Sequence, residues 1–392
     1  MSKLDDLINK LCPDGVEWKN LQDVCGVITT GKLNANTMTE DGAYPFFTCD
    51  KEVFKIDTYA FDGEAILISG NGSQVGHINY CNGKFNAYQR TYVLMNIKDV
   101  SYGFLLHWLH GYLKPYILRN CKKGSVPYIT LPMLQEFEFP VPPLEIQNEI
   151  VRILDNFTEL EEELEEELVA RRKQYEYYKS LFFEDNGKYE IKHITDIALV
   201  KARVGWQRLT TAEYLDSGEY YLITGTDFQN GIINFDTCHY VTKERYDMDT
   251  NIQVHKDDIL ITKDGTLGKV AMLTEEPKKL ATLNSGVFNI HVFDEKIFPR
   301  FIYHFFTSKT FTDFVVKVKT GSTIPHLTQQ GLVTLNIPIP PFDEQKKIAN
   351  TLDRFEALCN DITSGLPAEI EARHKQYEYY RDKLLTFKRK SA

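Results

Sequence analysis

The chain has 392 residues, 43% of them hydrophobic and 26% charged, with a formal net charge of −10. This is enough chain for two or three domains with sizeable cores. No apolar run approaches the ~20 residues that span a bilayer, and the opening MSKLDDLINKLCPDG lacks the long apolar stretch of a signal peptide, so a cytoplasmic protein is expected.

The acidic total argues against a polyanionic partner only until its distribution is read. Residues 141–183 hold eleven acidic and five basic side chains, which leaves the rest of the chain at −4. A region that close to neutral can still present a basic face.

In chain order, residues 1–140 read as a mixed α/β domain. Its β-type runs EAILISG and QRTYVLMNI alternate with Gly- and Asn-rich turns. Ser101 to Ile117 reads as a buried helix that ends near Pro115. A proline connector, VPPL, opens residues 141–185. From about Glu145 to Phe183 the apolar and ring positions (Ile146, Ile150, Ile153, Phe157, Leu160, Leu164 and onward) step mostly by threes and fours, as in a coiled-coil seam. Such a helix would be about 60 Å long. The repeated LEEE tetrads at its middle keep its outer faces solvated.

Residues 186–336 read as a second mixed α/β domain, with strand-like YYLITG, DDILITKDG and GVFNIHVF. Residues 337–392 return to a proline connector and a helical stretch, about Asp343 to Phe387, interrupted near Ser364-Gly365-Leu366-Pro367. The two halves repeat each other unevenly. KQYEYY occurs at Lys173 to Tyr178 and again at Lys375 to Tyr380, and FPVPPLEIQNEI matches IPIPPFDEQKKI. Glu17, Lys19 and Asp23 match Glu190, Lys192 and Asp196, and GSVPYIT echoes GSTIPHLT. An internal repeat organises any fold built on it. Two matched stretches imply one partner bound twice, and two divergent stretches imply two different ligands.

Fragments that imitate catalytic motifs fail on spacing. Gly70 to Gly76 is one residue too long for a dinucleotide turn, and Gly265-Thr266-Leu267-Gly268-Lys269 lacks the gap and the Ser/Thr of a phosphate loop. Pro340-Pro341-Phe342 ends like an amino-methyltransferase motif, but Ile339 supplies no carboxamide. The triplets Glu276-Pro277-Lys278 and Asp294-Glu295-Lys296 lie outside convincing core strands. Seven scattered cysteines without a CxxC pair read as reduced thiols rather than zinc ligands. The chain reads as a binder, not an enzyme.

The remaining polar and basic residues flank glycines and aromatics, as loops approaching a phosphate backbone do. In the first domain these are Lys32, Asn34, Asn71, Ser73, Gln74, Arg90, Lys122, Lys123 and Ser125. In the second they are Lys201, Arg203, Gln207, Arg208, Lys263, Lys269, Lys317, Lys319 and Ser322. Any one of them alone fits ordinary surface charge; the clusters at Lys122-Lys123 and Lys317–Lys319 stand at equivalent points of both domains.

With LCPDGVEWKNLQDV near the start, the two GS-to-T segments, the two P.PP...Q...I connectors and the paired ARxKQYEYY runs, the chain resembles the specificity subunits of type I restriction-modification enzymes over essentially its whole length. The resemblance implies an α+β protein. Its two target-recognition domains, 1–140 and 186–336, would be separated by long helices that pair as an antiparallel coiled coil with pseudo-twofold symmetry. Each domain would read half of a bipartite, asymmetric DNA target, with the helices as a ruler. Double-stranded DNA, two methyltransferase (M) subunits and restriction (R) subunits are the implied partners. No cofactor is implied in this chain, and S-adenosylmethionine, ATP and Mg are expected on the partners. Gln174, Tyr175, Tyr178 and Gln376, Tyr377, Tyr380 could seat the two M copies, although part of each tyrosine row must pack in the seam. The competing reading is a coiled-coil protein-interaction scaffold without DNA contact.

Overall fold

The computed structural model describes residues 3–121, 127–184, 187–204, 209–319 and 326–390. It divides into two compact units, Met1–Glu163 with Ile370–Ala392, and Leu164–Glu369. The long helix, Leu144–Phe183, is therefore shared: its first half belongs to one unit and its second half to the other. No helix among the described residues is long and apolar enough to cross a membrane.

In the first unit one sheet carries six strands side by side. They are Cys25–Thr30, Thr91–Ile97, Phe61–Ser69, Ile78–Ala87, Tyr44–Phe47 and Phe54–Ile56. Residues 65–68 and 92–95 are buried runs, as central strands covered on both faces require. Helix Tyr102–Asn120 packs beside this sheet with Phe104, Leu105, Leu109, Leu113 and Ile117 in the core. It runs through Pro115 instead of ending there. Burial of Leu113 and Ile117 on either side of the proline holds the helix across the hydrogen bond that proline removes.

The second unit repeats the first four strands in the same order: Ala198–Ala202, Val287–Val292, Ile259–Thr262 and Val270–Met272. Its additional strands form a separate four-stranded sheet, His239–Val241, Tyr220–Ile223, Leu280–Leu283 and Gln253–Val254, and a two-stranded hairpin, Phe228–Gln229 with Ile232–Ile233. The helical segment beginning at Phe298 is broken into Pro299–Phe306 and Lys309–Val318, where the Ser308 hydroxyl caps the second piece by accepting from Phe311 N–H at 3.3 Å.

At the foot of each domain a two-stranded ribbon recurs in one register. Glu17 faces Val141 and Lys19 faces Phe139; Glu190 faces Ile339 and Lys192 faces Ile337. The connector after each ribbon turns into helix around a buried glutamine. Gln147 accepts from Ser101 N–H at 2.8 Å and donates to the Asp99 and Pro142 carbonyls at 3.0 and 2.7 Å. Gln345 accepts from Phe298 N–H at 2.8 Å and donates to Lys296 and Pro340 carbonyls at 3.0 and 2.9 Å. Each carboxamide thus pairs three backbone groups of its turn, one of them buried and two part-buried.

The helices pair antiparallel in each unit. In the first, Phe157 stacks on Tyr380 with centroids 5.1 Å apart, and Glu161 accepts from His374 at 2.9 Å. In the second, Tyr178 meets Phe355 at 5.6 Å, and Arg172 reaches the Cys359 carbonyl at 3.4 Å. The partner helices are Leu366–Leu384 and Phe342–Asn360. Between them the helix breaks at residues 361–365 and restarts at Leu366, so Pro367 lies in a first turn, where its missing N–H costs no bond.

A histidine ties each domain to its helix. His107 lies 2.9 Å from Asp155 through Nε2 and 3.0 Å from the Tyr377 hydroxyl through Nδ1. His304 contacts Asp353 at 2.7 Å through Nε2, and its Nδ1 has no partner among the described residues. Burial pushes both imidazoles below the ordinary pKa, against the pull of their aspartates. The neutral form suits the geometry: Nε2–H donates to the carboxylate and Nδ1 of His107 accepts from tyrosine.

Two outcomes follow for stability. Gln345→Leu strands the Phe298 N–H and two carbonyls, and should cost about 2–3 kcal/mol in chemical denaturation; a loss below about 0.5 kcal/mol would contradict the role of this side chain. Because His107 and His304 stay neutral in the fold while the unfolded chain takes up protons near pH ~6.5, the unfolded state binds more protons below that pH. Stability should therefore fall as pH drops from about 7.5 to about 5.5. The paired substitution His107→Gln, His304→Gln should flatten that fall in the same titration.

Candidate nucleic-acid interface and helix surface

Loops at one end of each sheet converge by the same backbone hydrogen bonds. In the first unit Gly70 N–H donates to Arg90 O at 2.9 Å, and Ile129 N–H donates to Gly70 O at 2.8 Å. Ser69 N–H donates to His77 O at 2.9 Å, and Gly76 N–H returns to Ser69 O at 2.8 Å. In the second unit Lys263 N–H donates to Gly286 O at 2.9 Å, and Leu327 N–H donates to Lys263 O at 3.0 Å. Thr262 N–H donates to Lys269 O and Gly268 N–H to Thr262 O, both at 2.9 Å. Loops 70–76 and 263–268 are therefore equivalent. Gly76 and Gly268 close these loops at φ +79° and +78°, a conformation that glycine adopts without strain.

Around loop 70–76 gather the turn with Lys32 and Asn34 and the turn with Arg90. Gln89 Nε2 donates to Asn34 Oδ1 at 2.8 Å and Gln89 N–H to Leu33 O at 2.9 Å. Lys32, Asn34, Ser73 and Arg90 are exposed; Asn71 and Gln74 are half-buried, with Asn71 bridged to Tyr128. The structure thus brings together six of the nine residues singled out in the first domain. Lys122, Lys123 and Ser125 lie outside the described residues.

In the second unit, loop 263–269 borders a cleft of about 840 Å³ lined by residues including Tyr214, Thr224, Asp264, Thr266, Lys269 and Asn284. Asn284 donates to the Tyr214 hydroxyl at 2.5 Å, and buried Asp227 holds the preceding turn by accepting from Thr224 N–H at 2.7 Å. Asp264 pairs with His326 at 2.5 Å. Lys269 is exposed at the rim. Lys263 is half-buried with its ammonium 5.4 Å above the Phe288 ring, and Lys201 is half-buried on its strand. Lys317 and Lys319 are exposed at the end of helix Lys309–Val318. Gln207, Arg208 and Ser322 lie outside the described residues.

Arg203 is a correction. It is 2% exposed, donates through Nε to the Leu283 carbonyl at 2.8 Å and through Nη2 to Thr282 at 3.2 Å, and burial lowers its pKa. Its guanidinium cross-links strands inside the domain and does not face a ligand. Sequence reasoning missed Tyr214, Thr224, Asp264 and Asn284. The available signal was position: Thr224 and Asn284 directly follow the strand-like runs Tyr220–Ile223 and Leu280–Leu283, and Asp264 lies two residues beyond Ile259–Thr262.

The KQYEYY repeats occupy matching environments. Gln174 accepts from Arg171 at 3.0 Å, and Gln376 accepts from Arg373 at 3.2 Å. Tyr175 and Tyr377 are 6% and 7% exposed, under the cations of Lys179 and Arg381. Burial raises both phenols, that of Tyr377 up to about 12. Tyr178 and Tyr380 are half-buried on Phe355 and Phe157. This corrects the expectation that Tyr175 and Tyr377 are available to a partner: they fill the seam. The available rings are Tyr177 and Tyr379, each 63% exposed.

His304, Asp353 and Glu356 bring three possible metal-ligand atoms within 4.8 Å of one another. The Arg300 guanidinium already lies on both carboxylates, at 2.6 and 2.9 Å, and Tyr303 donates to Glu356 at 2.8 Å. The cluster is an internally compensated joint between domain and helix.

The family described as the type I restriction modification DNA specificity domain matches residues 13–170 and 186–372. A putative type I restriction enzyme specificity subunit of Haemophilus influenzae is 29% identical over 384 residues, covering 95% of this chain and 96% of that protein. A type I restriction enzyme specificity subunit of Escherichia coli is 35% identical over 253 residues, covering 63% of this chain and 61% of that one. The crystal structure of the S subunit from M. genitalium shares the fold at 17% identity, with a TM-score of 0.58 over 95% of this chain and 96% of that one.

Truncation separates seam from surface. Tyr175→Ala or Tyr377→Ala should cost about 3–5 kcal/mol in denaturant titrations. Tyr177→Ala or Tyr379→Ala should stay within about 0.5 kcal/mol of the unaltered chain.

Proposed function

The chain belongs to the family of type I restriction-modification DNA specificity subunits, and we propose that it reads a bipartite, asymmetric DNA target while seating two methyltransferase subunits. One observation carries this reading: the two units are built alike where helix meets domain and unlike where the loops converge. The glutamine clamps, the ribbons and the aromatic seam recur residue for residue. At the loop end, Asn71 of one unit stands where the other has Asp264, and the second loop lacks a residue in the place of Gln74. A repeated surface suits two copies of one partner, and divergent loops suit two different DNA words.

Each half-site is read by loop side chains in the major groove, where all four base pairs are distinguishable. Exposed Lys32, Arg90, Lys269, Lys317 and Lys319 supply phosphate contacts, which position the protein and make its affinity salt-dependent. Tyr177 and Tyr379 stand at equivalent points for the methyltransferase copies; aromatic rings are among the side chains enriched in interface cores. The chain itself contributes no catalytic group. S-adenosylmethionine belongs to the methyltransferase subunits, and ATP and Mg belong to restriction subunits that join the same assembly in the cytoplasm.

Footprinting of the full chain assembled with its methyltransferase subunits tests the reading. Two protected tracts of unrelated sequence, separated by an unread gap, are expected. One continuous tract would overturn the bipartite arrangement, and absence of any sequence-specific protection would overturn DNA reading itself.

A further inference from the structure

We propose that Asp264 is a base-reading residue of the second unit, accepting a hydrogen bond from the exocyclic amino group of a cytosine or adenine in its half-site. The proposal rests on the DNA-reading function above and assigns to one side chain a share of its specificity.

Position is the first argument. Asp264 follows Lys263, whose carbonyl accepts from Leu327 N–H, as Asn71 follows Gly70, whose carbonyl accepts from Ile129 N–H. The residues before Leu327 and Ile129 return to the same loops: the His326 side chain places Nδ1 2.5 Å from Asp264 Oδ1, and the backbone of Tyr128 forms an isolated β-bridge with that of Asn71. Asp264 and Asn71 are thus equivalent points of the two loop clusters, and they differ in hydrogen-bonding chemistry. A carboxamide both donates and accepts, whereas an ionised carboxylate only accepts.

Charge is the second. Among the described residues Asp264 is the only carboxylate lining a cleft otherwise made of threonine, glycine, asparagine, serine, leucine, tyrosine and lysine. A carboxylate within a Debye length of phosphates, ~8–10 Å, is repelled by them. On a surface that binds duplex DNA, this repulsion is offset when the carboxylate takes an amino hydrogen from a base edge, the pairing that acidic side chains make with cytosine N4. The same group repels the keto oxygens of guanine and thymine, so it discriminates by exclusion as well as by attraction.

Access is the third. The Asp264 side chain is 41% exposed, and its one ion-pair contact among the described residues is His326, on Oδ1. Oδ2 lies toward Gly286, where a Cβ would stand 3.7 Å from it, so the absence of a side chain there leaves the approach open. His326 fixes the carboxylate's orientation while leaving lone pairs for a base.

The test is Asp264→Asn in the full chain, co-expressed with its methyltransferase subunits in a host lacking other DNA methylation, with the methylated sequence read genome-wide. Preference for an amino-bearing base at one position of one half-site should fall on the order of tenfold or more. The other half-site should be unchanged, which also reports intact folding and assembly. Asn71→Ala should move the opposite half-site only. An unaltered methylation motif for Asp264→Asn, or a uniform loss of methylation at every position, would overturn the assignment. If the unaltered chain directs no bipartite methylation, it is the DNA-reading function that fails instead.

Discussion

The structure depends on an antiparallel seam in which each KQYEYY stretch packs against the connector helix of the other repeat. Tyr380, from the second repeat, stacks on Phe157 of the first connector. Tyr178, from the first repeat, meets Phe355 of the second. Aromatic pairs of this kind contribute ~0.5–1.5 kcal/mol beyond their area. Their larger consequence is topological. Because the repeats exchange helices, the first compact unit is discontinuous in sequence, Met1–Glu163 with Ile370–Ala392, and each unit contains a segment from both repeats. The close likeness of the two stretches follows, since each must fit the same kind of groove.

Rigidity is concentrated where the domains join the helices. Gln147 and Gln345 each pair three backbone groups of their turns, and the His107–Asp155 and His304–Asp353 contacts tie the domain helices to the connector helices. Buried polar contacts of this kind specify one arrangement more sharply than apolar packing alone. The joints are not identical. His107 has Tyr377 on its second nitrogen, whereas the second unit surrounds His304 with Arg300, Tyr303 and Glu356. One mechanical task is met by two sets of hydrogen bonds.

Variation is concentrated at the far end of the sheets. Four strands of the main sheet correspond one for one between the units, and the strands beyond these and the recurring ribbon differ: two further strands on one sheet, a second four-stranded sheet and a two-stranded hairpin in the other unit. The backbone bonds that close loops 70–76 and 263–268 involve N–H and C=O groups only. The scaffold therefore fixes where a side chain stands without fixing which side chain it is. That separation lets binding specificity change with little effect on folding, the general advantage of placing function on loops over a rigid core.

The sequence by itself determined the repeat, the long helix within one residue of its start, the helix break near Pro367 and the five strand-like runs, because periodicity and turn chemistry are local properties. Matching glutamines in the two connectors marked the clamps, though not their partners. Only the tertiary structure decided which tyrosine of KQYEYY faces inward. A helical stripe can be rotated by one position without changing its composition, and the helix that covers Tyr175 and Tyr377 comes from the other repeat. Arg203 was legible only as a basic residue beside a loop; its side chain is buried with its hydrogen bond to the Leu283 carbonyl, eighty residues away in the chain. Asn71 and Asp264 each follow an Ile-Leu-Ile strand run by three residues, and backbone hydrogen bonds from Ile129 and Leu327 set them at one point of one fold. Contacts between residues distant in the chain carry no local signature, and the choice of ligand-facing side chains is made by those contacts.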